Sequence, residues 1–387
     1  MPKASVIATL FFAAALIIPL AALRPVEQPV LAESAVDLVG SKLADVKSAL
    51  TDAGLSVSEK LGMTSQHKKA DSTPVSGADV VHRSFNVTPG GWLRIDTDRG
   101  NIEVTTGGSN TVEVDVHRES RGNASEDDFE VSFEQSGNSI EISGESRERN
   151  WGRNNVNVKF AVSVPSKFNV DLETSGGNVS VEDLDGEANV ETAGGNLSFG
   201  RVTGKISAET AGGNISVEGS EGDVSVETSG GGIKLGRVGG RVEASTSGGN
   251  ITVDGSEGNL TVETSGGNIH LGRVGGTVEA STSGGNIEVE EVNGQIEAET
   301  SGGSITARMA SQPAGDSRLE TGGGSITVYL ADDIRVDVDA DANGGRVETD
   351  IPVETHGNLR RDRLQGKING GGPALILQGD RVSIKRL

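Results

Sequence analysis

The sequence contains no cysteine. This excludes disulfides, a thiol nucleophile, cysteine-ligated zinc and a lipobox cysteine. Aromatic residues are scarce, at 3%, fewer than a compact core normally uses. Positive charge is also short. Against 56 Asp and Glu there are 34 Lys and Arg, giving a formal net charge of −22. That balance disfavours nucleic acid, whose phosphates need Lys and Arg, and an anionic membrane surface. It reads as solubility and self-repulsion in a protein built of adherent strands.

Sites of familiar chemistry are missing too. His67, His82, His117, His270 and His356 are scattered without metal-site spacing. No glycine-rich segment ends in Gly-Lys-Ser/Thr or opens a helix, so none reads as a phosphate loop. The calcium nonapeptide is absent. The sequence therefore predicts no catalytic, cofactor-binding or metal-ligating residues, and no cofactor.

Glycine is what the chain has in abundance, with 56 residues and no Gly-X-Y period, which excludes collagen. Thr-Ser/Ala-Gly-Gly recurs at Thr174, Thr192, Thr210, Thr228, Thr246, Thr264, Thr282 and Thr300, every 18 residues. A ninth copy at Thr321 follows a three-residue insertion. Within one unit, Ile287 and Val289 share one face of a short strand, Val292 marks a bend, and Ile296 and Ala298 share a face of a second strand. Side chains two apart point the same way, so these five face one interior. The position after the glycine corner is apolar in every unit, from Val179 to Ile326, and its neighbour is polar in every unit. A core column beside a solvent column is what stacked coils require.

The predicted fold is all-β: a β-solenoid of 18-residue coils, resembling a right-handed parallel β-helix. One coil cannot bury its own strands, so both ends of the stack need covers. The expected division is 169–342 for the regular solenoid, 80–168 for a strand-rich N-terminal cap, and 343–387 for closing coils and a cap. Residues 33–79 read as a helix-prone spacer and linker. Residues 1–32 carry Lys3, an apolar run from Val6 to Leu23, and Val30-Leu31-Ala32 before Glu33. This is the pattern of a cleaved signal peptide. An uncleaved anchor is the other reading, at about 18 apolar residues, the bottom of the membrane-spanning range. Either places the protein in the periplasm, on the outer surface or outside the cell. Membrane contact is expected only if the segment stays uncleaved.

A second period of 36 residues overlies the first. Gly-Arg-Val units at Arg201, Arg237 and Arg273 alternate with Gly-Ser-Glu-Gly units at Glu221 and Glu257. Stacking predicts an edge of alternating charge and an inter-coil ion-pair ladder that sets register. Asn178, Asn196, Asn214, Asn250, Asn268 and Asn286 form a corner column, read as a structural ladder of inter-coil amide bonds. Asparagine also tolerates the left-handed backbone expected at such turns. Glu173, Glu191, Glu209, Glu227, Glu263 and Glu299 form a second column, read as a solvated acidic face; cation or basic-partner binding is the sharper alternative. Trp151, between Arg149 and Arg153 in a polar loop, is a weak candidate contact for a partner.

Phe85 through Pro-Gly-Gly-Trp-Leu-Arg-Ile-Asp96, the Val164-Pro165 step, the Thr-Ser-Gly-Gly-Asn-Ile units and Asn369-Gly-Gly-Gly-Pro373 resemble the bacterial "putative adhesin" family. The resemblance spans roughly residues 80–387. It implies a β-solenoid domain of unknown function in exported or envelope proteins, and supplies no catalytic residues. The expected function is a non-enzymatic adhesin or cell-envelope interaction module. Its partner would be an unidentified surface component or a polysaccharide, not nucleic acid. Two alternatives remain open: a polysaccharide-degrading β-helix enzyme, and an envelope-sensing partner of a membrane regulator.

Overall fold

The structure is a computed structural model and describes residues 80–387, except 109, 122–127, 148–154 and 356–359. The expected signal or anchor, the spacer, and the Arg149, Trp151 and Arg153 loop lie outside the described residues. Among the described residues no helix is long and apolar enough to cross a membrane.

The chain folds as an all-β solenoid with two long sheets, of 15 and 16 strands among the described residues. Each regular coil gives one strand to each sheet, as Ile215–Ser220 and Val224–Thr228 do. Neighbouring coils pair parallel and in strict register. Leu197 faces Ile215, which faces Ile233, and Ala188 faces Ile206, which faces Val224. After Thr300 the offset becomes 21, with Ala298 opposite Leu319 and Ile305 opposite Ile326. Just before this, the pairing shifts by one residue between Val289 and Val292, so that Val292 faces Met309, and the inserted residues follow outside the sheets.

The core is a set of apolar columns between the sheets. Ile287, Val289, Val292, Ile296 and Ala298 are all buried. A sixth inward column was not anticipated: the threonine of each Thr-Ser-Gly-Gly unit is buried, from Thr174 to Thr321. Its hydroxyl lies against the glycine corner, where an aliphatic side chain would leave backbone groups unpartnered. Thr210 Oγ1 donates to the Gly195 carbonyl oxygen at 2.9 Å and accepts from the Gly213 N–H at 3.3 Å. Thr228, Thr246, Thr264, Thr282 and Thr300 repeat both bonds.

The corners correct one expectation. None of the six corner asparagines has positive φ, and of the repeated corner glycines Gly177 alone does. The glycines are needed for room instead. A Cβ on Gly213 would lie 1.8 Å from the Gly195 carbonyl oxygen, and one on Gly231 would lie 1.9 Å from that of Gly213. Coils stack so closely here that only hydrogen fits.

Stacking order and chain order part company at both ends. Gly91–Thr97 and Asn101–Gly107 pack on the first regular coil, and Ser139–Ser146 and Asn155–Pro165 pack outside them. Antiparallel strands Val80–Asn86, Thr111–Arg121 and Phe129–Ser136 close that end. Phe85, Phe129, Phe133, Phe160 and Phe168 gather there, with Phe129 and Phe160 edge to face at 6.3 Å. Rings fill the ends where no further coil supplies aliphatics. At the other end the final strands, Ala374–Gln378 and Arg381–Arg386, insert between two coils made earlier in the chain. They pair with Ser317–Thr321 and Ser325–Leu330 on one side, and with Val336–Asp341 and Arg346–Thr349 on the other.

Candidate functional site

The outer surface at the bend before the second strand carries the 36-residue period. Five successive coils place glycine at alternating positions there: Gly200-Arg201, Glu218-Gly219, Gly236-Arg237, Asp254-Gly255 and Gly272-Arg273. Arg201 faces Gly219, Gly219 faces Arg237, Arg237 faces Gly255 and Gly255 faces Arg273. Arg237 therefore sits opposite a glycine in both adjoining coils, and Arg201 and Arg273 in one each.

Crowding explains the alternation. A Cβ on Gly236 would lie 1.9 Å from the Glu218 carbonyl oxygen, and one on Gly272 would lie 2.0 Å from that of Asp254. On Gly255 it would meet the Arg273 carbonyl oxygen at 2.9 Å. Two like coils in succession would leave one row of residues without that clearance.

This register overturns the expected ion-pair ladder. The partner of Arg201 across the stack is Gly219, two residues short of Glu221. Among the described residues, neither Arg201 nor Arg237 forms an ion pair with Glu221 or Glu257. The in-register pair is Arg273 with Glu291, at 3.0 Å, where the alternation ends.

Alternating arginine and glycine leave notches over Gly219 and Gly255, which join into a groove of about 970 Å³. Arg201, Arg237 and Arg273 line it, with Glu218, Glu221, Asp254 and Glu257 beside them. The three arginines and four acids are exposed. Successive arginines are two coils apart, about 9.6 Å at sheet spacing. No aromatic ring lines the groove. Chemically it offers forked cationic donors and carboxylate acceptors in a repeating cell.

The corner asparagines lie elsewhere and bond from coil to coil. Asn178 Oδ1 accepts the Asn196 N–H, Asn196 Oδ1 that of Asn214, and Asn214 Oδ1 that of Gly232, each at 2.8 Å. Asn250 Oδ1 accepts from Asn268 at 2.7 Å, and Asn268 and Asn286 continue to Asn286 and Ser304. Gly232 has no side chain to offer Asn250, so the column breaks once. Bonds to backbone N–H dominate, and the side chain-to-side chain contacts are longer, 3.2 Å from Asn196 Nδ2 to Asn178. Sequence reasoning missed a matching column at the other corner. Asn169, Asp223 and Asn259 accept the N–H of Glu187, Arg241 and Thr277. An Asx at fixed offset before the second strand was the available signal.

The glutamates of the acidic column stack in register, Glu191 on Glu209 and Glu209 on Glu227. Burial, and then the Glu209 carboxylate, raise the Glu191 carboxyl above its ordinary value; burial and then Glu227 do the same to Glu209. His270 sits between two carboxylates, 3.5 Å from Glu288 and 3.4 Å from Glu290. Among the described residues no group of three or more His, Asp or Glu is placed to hold a metal ion.

No curated protein matches the chain. Its structure is similar to that of a protein from Bacteroides fragilis described as a putative adhesin, with 17% identity, a TM-score of 0.32, and coverage of 65% of this chain and 96% of the other. A putative adhesin from Parabacteroides distasonis is similar at 16% identity and a TM-score of 0.34, covering 66% and 98%. A putative cell adhesion protein from Clostridium sporogenes is similar at 10% identity and a TM-score of 0.18, covering 80% and 100%. Residues 92–283 match the model of the family Toastrack DUF4097, a family of domains of unknown function.

Proposed function

We propose that this protein is a non-enzymatic interaction module, exported to the cell envelope or beyond, that holds an extended partner along its coil stack. One observation carries this reading: the polar groove at the coil bend repeats the same cell over consecutive coils, held in register by the sheets beneath. A repeating surface suits a long partner contacted many times, where weak contacts add through linkage. The glycine alternation that creates the groove fixes its spacing, so the surface is organised before any partner arrives. The family resemblance and the apolar leader in the sequence agree with a place at the cell surface.

The test is retention of the purified protein on a panel of cell-wall and extracellular polymers, following polymer chain length in the same samples. Retention with unchanged chain length is the expected result. Progressive shortening would overturn the non-enzymatic reading.

A further inference from the structure

We infer that the groove over Gly219 and Gly255 binds a linear, uncharged polysaccharide lying along the stack, with one two-sugar unit per two coils. This deepens the interaction-module reading and rests on it.

The groove's chemistry selects the ligand class. Its lining carries three guanidiniums and four carboxylates, so both strong donors and strong acceptors need partners within each cell. Hydroxyl groups serve both, donating to Glu218 or Asp254 and accepting from Arg237. A polyanion would satisfy the arginines, but it would meet the flanking acids and a chain of net charge −22. A polycation would meet Arg201, Arg237 and Arg273. The lining has no ring on which a sugar face could stack, so the glycan is read along its hydroxyl edges.

The spacing selects the polymer's form. Equivalent arginines recur about every 9.6 Å, close to the two-sugar repeat of an extended β-1,4-linked glycan. Arg237 stands between the two notches and contributes to both. Neither Arg201 nor Arg237 is held in an ion pair among the described residues, so their guanidiniums are available without breaking a protein contact. Gly219 and Gly255 are buried beneath them, and the notch floor is backbone that a sugar can approach closely.

The experiment measures binding of soluble β-1,4-linked oligosaccharides of glucose and of N-acetylglucosamine, of increasing length, to the full chain. Affinity is expected to climb with length and level off once the oligomer spans Arg201 to Arg273, about 19 Å. Arg237→Ala should weaken binding about tenfold. Lys234→Ala, an exposed change on the same strand outside the groove lining, should leave it unchanged. Both variants should unfold at the parent's denaturant midpoint, which separates lost binding from lost fold. Absence of binding in both series overturns the proposal, as does an Arg237→Ala variant that binds like the parent. Binding confined to acidic polysaccharides overturns the uncharged assignment. Retention on another polymer of the panel, equal for parent and Arg237→Ala, overturns the groove while leaving the interaction module standing.

Discussion

Thr210 and Gly195 lie in adjoining coils, and the buried hydroxyl of the first donates to the carbonyl oxygen of the second at 2.9 Å. The same bond recurs from coil to coil, so a polar spine runs inside an otherwise aliphatic core. Thr210→Val keeps the shape but strips partners from the Gly195 carbonyl and the Gly213 N–H. It should cost about 1–3 kcal/mol in urea unfolding, and Thr210→Ser should recover most of that. Equal stability of the valine variant and the parent would show the bond to be incidental.

The two glycines of each corner should respond differently to one methyl group. Gly213→Ala forces a Cβ to 1.8 Å from backbone, whereas at Gly212 the nearest atom is 3.8 Å away. The first substitution should destabilise by several kcal/mol, beyond the roughly 1–3 of ordinary overpacking, because rigid backbone must move. The second should change stability by about 0.5 kcal/mol or less. Thermal unfolding of the pair makes the comparison.

The acidic column gives a pH signature. Glu191 and Glu209 have carboxyls raised first by burial and then by a like-charged neighbour. With the folded-state value above the unfolded one, the folded chain binds more protons between them, so this contribution falls as pH rises. The cost is complete above the raised value and is relieved as pH drops towards the ordinary 4.5. Glu209→Gln should therefore stabilise at pH 7, by about 0.5 kcal/mol after solvent screening. The difference from the parent should vanish near pH 4 and shrink in high salt. An equal gain at both pH values would rule out the charge explanation.

Deletions should separate the 18-residue register from the 36-residue one. Removing 233–268 brings Ile269 into the place of Ile233 and preserves the alternation. Removing only 233–250 keeps strand register but sets Asp254 over Glu218, with no glycine between. The longer deletion should unfold cooperatively near the parent midpoint, and the shorter one at lower denaturant. A lower midpoint for the 36-residue deletion would refute the two-coil unit.

Much of the fold was legible because stacking writes itself into sequence at fixed offset. The column from Val179 to Ile326 is inward throughout, as alternation required. The threonine spine was less legible, since Thr reads as polar until its place beside a crowded corner is known. The Arg201–Glu221 ladder failed because both residues lie near one bend, yet strand pairing admits an offset of 18 and not 20. The groove was hidden for the same reason: it depends on which glycine faces which arginine. Nothing periodic announced the inserted C-terminal strands, because Ala374-Leu-Ile-Leu377 is compatible with any parallel neighbour.

That insertion orders events in time. Ala374–Gln378 and Arg381–Arg386 follow both neighbouring coils in the chain, yet they occupy an interior place between those earlier strands. Until they arrive, the coil at Ser317–Leu330 presents unpaired edges on both sheets. A chain cut short by a few tens of residues would keep nearly all of its repeats and still display an open template, which marks it for proteolysis or for pairing with another unfinished copy.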